Sequence, residues 1–228
     1  MDFTAAFHRA NALREAGDLA GLRQLFQSGD AGVKAGVLNG LTGEPGLNPE
    51  MGPGIVALAI EGAGHTSPEV RHWACVVFQN QSAWRVDVAT AIAPLLNLLS
   101  DSDWEVRRMA AFAVGNVYKR RYDFAPHFSA LHRLLSDQNH FVSEAAAWAI
   151  SKMAAARYDI GPAVPDLFVL LGSGQDSDRP RKEAARALLH HARKTSQALE
   201  QVKQGVARGG LDARRKEVKR FLDQLDAL

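Results

Sequence analysis

Leu-Leu-Ser-Asp-Ser-Asp-Trp-Glu-Val-Arg-Arg-Met-Ala-Ala at residues 98–111 returns as Leu-Leu-Ser-Asp-Gln-Asn-His-Phe-Val-Ser-Glu-Ala-Ala-Ala at residues 134–147. The offset is 36 residues, and residues 85–120 lie over 121–156 without a gap. Identities at that offset include Arg85/Arg121, Asp87/Asp123, Leu95/Leu131, Leu98/Leu134, Leu99/Leu135, Ser100/Ser136, Asp101/Asp137, Val106/Val142, Ala110/Ala146, Ala111/Ala147 and Ala113/Ala149. The Arg-x-Asp element returns at Arg157 and Asp159, and the double leucine at Leu170 and Leu171. A fixed period of this size marks a stacked array, in which each unit buries its apolar face against its neighbours.

Each unit reads as two helices joined by a polar turn. Ala93 to Leu99 ends a first helix, Ser100 to Asp103 is the turn, and Asp103 is placed to cap a second helix from Trp104 to about Lys119. Val106, Ala110, Ala113, Val114 and Val117 fall at the three- and four-residue spacing of a buried helical face. Ser67 and Pro68 open the preceding second helix, with serine at the cap and proline where its missing N–H costs nothing. Ala74-Cys75, Ala110-Ala111, Ala146-Ala147 and Ala184-Ala185 form a column of small residues that lets successive helices approach closely. Cys75 therefore reads as a core residue.

The ends differ from the middle, as capping elements of an array should. Phe3, Phe7, Ala10 and Leu13 predict an N-terminal cap helix. Val218, Phe221, Leu222 and Leu225 form one apolar stripe near the C-terminus, with Arg214, Arg215, Lys216, Lys219 and Arg220 on its wet side. A weaker first repeat surrounds Leu22 to Phe26 and Val33 to Leu38, and a fifth covers Val164 to Ala192 with a loop two residues longer before Arg181. The expectation is one domain over 1–228: an N-terminal cap at 1–20, repeats at 21–193 and C-terminal cap helices at 194–228. Residues 42–54, with four glycines and three prolines, read as a long non-helical loop.

The 228 residues are 46% hydrophobic and 23% charged, the composition of an ordinary globular chain. No window approaches the ~18 uncharged apolar residues of a membrane span. The start of the chain lacks a basic stretch followed by an apolar core, and one cysteine allows no internal disulfide, so the expected compartment is the cytoplasm. Residues 1–100 carry 6 Lys/Arg against 9 Asp/Glu, whereas residues 101–228 carry 21 against 16. That asymmetry is milder than the one-sided basic stripe of a dedicated nucleic-acid binder.

Ser-Pro-Glu-Val-Arg at 67–71, Ser-Asp-Trp-Glu-Val-Arg at 102–107 and the degenerate Asn-His-Phe-Val-Ser at 139–143, with the small-residue helices that follow, resemble HEAT repeats. The likeness is to the short bacterial kind related to phycobilisome-lyase repeats, and it covers about residues 20–193. It implies that Asp103, Val70, Val106, Val142, Arg71 and Arg107 are structural, linking successive turns. Ser143 interrupts any ladder of arginines. The implied fold is an all-α, right-handed solenoid of about five helical hairpins with capping helices. The implied function is a non-catalytic scaffold or adaptor whose second helices line a concave, partner-binding surface.

Candidate chemistry is sparse. The recurrence of Arg-x-Asp at repeat junctions points to helix capping and pairing with the adjacent unit rather than to a unique site. Histidines 127 and 132 lie five apart, off one helical face, and His190 and His191 diverge, so no metal ligand set emerges. Gly172-Ser173-Gly174 lacks the preceding strand and following lysine of a phosphate cradle. No cofactor or catalytic residue is expected. Trp148, in one column with Phe112, reads as packing, and Trp104, at a helix start, as exposed.

The residues expected to meet a partner are Arg71, His72, Trp104, Arg107, Arg108, His140, Glu144, Arg181 and Lys182, and the expected partner is a protein with an acidic surface. The alternative is nucleic-acid binding through Arg107, Arg108, Lys119, Arg120, Arg121 and Arg133 with Trp104, Tyr118 and Tyr122 interleaved. The resemblance extends that alternative to excision of alkylated bases, and a pigment-lyase helper is a further rival it suggests.

Overall fold

A computed structural model describes residues 1–45, 50–118, 128–173 and 177–228. Among them every regular element is helical. The helices are α1 (Phe3–Glu15), α2 (Leu19–Ser28), α3 (Ala31–Gly40), α4 (Met51–Ala63), α5 (Pro68–Ala83), α6 (Ile92–Asn97), α7 (Trp104–Tyr118), α8 (Phe128–Arg133), α9 (His140–Ala155), α10 (Val164–Gly172), α11 (Arg179–Ala192), α12 (Ser196–Ala207) and α13 (Lys216–Asp226). The contacts divide into two compact units, Met1–Tyr122 and Asp123–Leu228.

Within each unit the helices alternate between two layers. In the first, α1, α3, α5 and α7 pack in succession, while α2 and α4 lie behind them and α6 follows α4. In the second, α9, α11 and α13 pack in succession, with α10 and α12 behind. The column of small residues makes the first layer possible: Ala74, Cys75, Ala110 and Ala111 are fully buried, as are Ala146, Ala147 and Ala184 in the second unit. Burial pushes the Cys75 thiol up, so it is a small apolar side chain rather than a nucleophile. Gly36 shows how close the helices come, because a Cβ there would lie 2.3 Å from the Phe3 carbonyl oxygen of α1.

The sequence periodicity is matched by hydrogen bonds. Leu98–Ser100 and Leu134–Ser136 are each one 3₁₀ turn, and Asp101 and Asp137 each accept the N–H two residues on, at 2.9 Å. Asp103 caps α7 as its position predicts, accepting from Glu105 at 2.8 Å and Val106 at 3.2 Å. Asn139 does the same for α9 through the N–H of Phe141. Ser67 holds the cap position of α5, with Pro68 beginning the helix, but its side chain makes no cap hydrogen bond.

In the Arg-x-Asp element the aspartate caps the next turn as expected, but the arginine has a different role from the pairing expected of it. Arg85 and Arg157 both take positive φ, 65° and 66°, one residue beyond the caps of α5 and α9. The N–H of Val86 reaches the Gln81 carbonyl, and that of Arg85 the Ser82 carbonyl, which closes the helix with a paired C-terminal motif. Tyr158 and Arg157 repeat this on Met153 and Ala154. Both arginine side chains are exposed, with no ion pair among the described residues. Asp87 and Asp159 then accept from Ala89 and Gly161 and start the next 3₁₀ turn. The third copy, Arg121 and Asp123, lies outside the described residues.

Residues 42–54 are not one loop. Met51, Gly52, Pro53 and Gly54 form the first turn of α4, where helical N–H groups lack intrahelical partners and proline is tolerated. The glycines there are packing residues: a Cβ at Gly54 would sit 2.4 Å from the Leu19 side chain. Buried Gln81 and the Arg14 side chain hold the start of the stretch, with Gln81 donating to the Leu41 and Gly43 carbonyls and Arg14 to that of Glu44. Residues 46–49 lie outside the description.

Candidate functional site

Arg71 and Arg107 occupy equivalent positions and make equivalent bonds. Arg71 Nη1 donates to the carbonyls of His65 and Thr66, six and five residues back; Arg107 Nη1 donates to those of Asp101 and Ser102. Arg71 also forms a bidentate pair with Asp101 of the following repeat, Nε–Oδ2 at 2.7 Å and Nη2–Oδ1 at 2.8 Å. Only 14% of the Arg71 side chain and 7% of that of Asp101 are exposed. Hydrogen bonding to Asp101 raises the Arg71 guanidinium above its ordinary value. Burial pushes the Asp101 carboxyl up, but Arg71, the Asp103 N–H and Arg107 outweigh it and hold that carboxyl below the usual range.

Arg181 is the corresponding residue of α11, displaced by the two-residue insertion. It is 5% exposed, and its Nε lies 3.7 Å from Glu217 Oε2 of α13. Arg71, Arg107 and Arg181 are thus tied to turns and, for Arg71 and Arg181, to the next repeat. Ser143, in the same column, is buried and turns its hydroxyl to the His140 carbonyl. Glu217 and Asp101 as forward partners had no local signal in the sequence, because each pairs across a repeat.

The position after the ladder faces outward. It holds His72, Arg108, Glu144 and Lys182, followed four residues later by Val76, Phe112, Trp148 and Arg186. In the first unit, a cleft of about 410 Å³ between the first turns of α5 and α7 is lined by Pro68, Glu69, His72, Trp73, Asp103 and Glu105. Burial holds His72 below the ordinary histidine value, against the opposing pull of Glu105. Arg108 lies over the Phe112 ring at 5.5 Å. Trp104 is half-buried rather than exposed, and Trp73 packs on Phe3 and His72.

In the second unit Trp148 is half-buried at the surface instead of sealed in the core, with Lys152 Nζ 5.3 Å from its ring. Glu144 faces Arg179 at 4.0 Å, and His140 packs on Phe141. Lys182 pairs with Asp178, and Arg186 with Glu183, both at 2.5 Å. His190 is held below its ordinary value by burial and by Arg193, Lys152 and Arg186.

Behind that layer, His132 pairs with Asp166 of α10 at 2.5 Å, a contact 34 residues apart that neither local spacing nor the ring position announces. Lys119, Arg120, Arg121, Tyr122, His127 and Gly174 lie outside the described residues, as does the Tyr118 side chain. Among the described residues no His, Cys, Asp and Glu cluster could hold a metal ion. No described helix is long and apolar enough to cross a membrane.

A family model described as HEAT repeats matches residues 92–189. No curated protein matches the chain. Among solved structures, an engineered protein of the Northeast Structural Genomics Consortium shares 22% identity at a TM-score of 0.70, covering 92% of this chain and 99% of its own. The designed armadillo repeat protein YIII(Dq)4CqI shares 21% at 0.68, covering 91% and 98%. Another designed armadillo repeat protein, solved in complex with the peptide (KR)4, shares 20% at 0.64, covering 100% and 99%. Residues 92–189 match HEAT repeats, as the 36-residue period implies, and the described residues form the all-helical repeat fold of these solenoids.

Proposed function

We propose that the protein is a non-catalytic scaffold that binds another protein through the outward stripe of its second helices. One observation carries this reading. The stripe sets a half-buried aromatic ring at the same position of successive repeats, Phe112 and Trp148, each with a cation over it, Arg108 four residues before the one and Lys152 four residues after the other. A structural neighbour that takes a peptide supports the same use of the fold.

An acidic partner surface fits the second unit, where Lys152, Arg186 and Arg193 crowd His190. It does not fit the α5/α7 cleft, whose Glu69, Asp103 and Glu105 suit a basic group instead. Those carboxylates also oppose a phosphate backbone, so nucleic acid is the weaker reading. Of the nine residues expected to meet a partner, His72, Trp104, Arg108, His140, Glu144 and Lys182 remain in the proposed surface. Arg71, Arg107 and Arg181 position it.

The test is capture from the native lysate, with and without nuclease, on wild type and on Arg108→Glu and Lys152→Glu variants. Proteins retained through nuclease and lost from the variants support the scaffold. Captured material that nuclease abolishes entirely overturns it.

A further inference from the structure

We infer that the groove between α11 and α13 is a docking site for an acidic amphipathic segment of a partner protein. This rests on the scaffold reading and assigns it a specific place and ligand chemistry.

The groove has a volume of about 320 Å³. Its floor is apolar, formed by Ala185 and Leu189 of α11 and Phe221 of α13. Its rim is cationic: Lys182 and Arg186 on one side, Lys216 and Arg220 on the other. All four rim side chains belong to exposed residues. Glu217 and Asp178 also line the groove, but both are engaged, Glu217 with Arg181 and Asp178 with Lys182. Lys216 and Arg220 have no ion pair among the described residues.

That combination selects its occupant. A purely apolar segment would leave two unpaired cations beside desolvated carbon, and a nucleic acid would leave the apolar floor unused. A segment with leucine-like side chains on one face and carboxylates beside them satisfies both parts. Its apolar residues seat over the exposed edges of Ala185 and Leu189, with Phe221 all but sealed beneath at 1% exposure, and its acids meet Lys216 and Arg220. An ion pair, Arg181 Nε to Glu217 Oε2 at 3.7 Å, links the two walls.

The test uses the full chain and a fluorescein-labelled synthetic helix with leucine at every third or fourth position and glutamate elsewhere. Two control peptides replace every glutamate by lysine or every leucine by serine. Anisotropy is read at low salt. Wild type is expected to bind the glutamate–leucine peptide, with affinity falling as salt rises, and to bind neither control. Lys216→Glu/Arg220→Glu is expected to lose about tenfold or more and to gain affinity for the lysine–leucine peptide; that gain shows the variant is folded.

Equal binding by wild type and the double reversal, no binding at ~1 mM peptide, or equal binding of the lysine peptide to wild type overturns the inference. Binding that survives the α13 reversal but disappears in Lys152→Glu also overturns it, while leaving the second-helix scaffold standing.

Discussion

Removing the Arg71 side chain tests whether the repeats are held together by a charged ladder as well as by packing. Arg71→Ala takes away two charge-assisted bonds to Asp101 and two bonds to the carbonyls of His65 and Thr66. Asp101 is then a carboxylate with 7% of its side chain exposed that keeps the Asp103 N–H as a donor. Stripping one partner from a buried pair costs about 3–5 kcal/mol. Arg71 is partly open to solvent, so water relieves some of that cost, and we expect about 2–3 kcal/mol.

Asp101→Asn keeps an acceptor for the Asp103 N–H and loses the charge, so it should cost about 1–2 kcal/mol. The double variant should cost less than the sum by about 1 kcal/mol or more. Urea unfolding measures the totals. Hydrogen exchange at α5 and α7 amides shows whether the loss is local, since repeat arrays can open in parts. The pH dependence has a definite sign. The folded Asp101 value lies below the unfolded 3.8, so the rung contributes fully above 3.8 and is lost as pH falls through the lower folded value. An Arg71→Ala cost below about 0.5 kcal/mol, or strictly additive singles, would refute the ladder.

Arg85→Gly and Arg157→Gly should each stabilise the chain by about 0.5–1 kcal/mol, because a β-carbon at φ 65° or 66° is strained and glycine is not; a drop in melting temperature would assign the side chains a structural role. Gly36→Ala should cost about 1–3 kcal/mol by forcing α1 off α3, seen as early loss of protection in α1, whereas wild-type protection there would mean the helices can shift freely. His72 and His190 are both held below their ordinary 6.5, so folding favours their neutral forms. Stability should be full above pH 6.5 and fall as pH drops toward the lower folded values, and His72→Gln/His190→Gln should flatten that slope in melting scans; an unchanged slope contradicts the assignment.

The sequence by itself determined the period, the two-helix unit and the buried column. Those rest on local chemistry: alanines at helical spacing, aspartates that cap, and a turn repeated every 36 residues. It named His72, Arg108, Glu144 and Lys182 together with Arg71, Arg107 and Arg181, and the structure separates the two columns. Tertiary structure decided the rest. The resemblance implies a linking role for Arg71, but its partner Asp101, and Glu217 as the partner of Arg181, arrive from the next repeat, 30 and 36 residues away. Trp148 looks like core until its layer proves to end at solvent. Met51 to Gly54 look like a loop until Leu19 and Val86 pack against their glycines. The α11/α13 groove required both helices in place, since its floor comes from one stripe on each. Local spacing fixes which way a side chain points along its own helix; only packing fixes what it meets there.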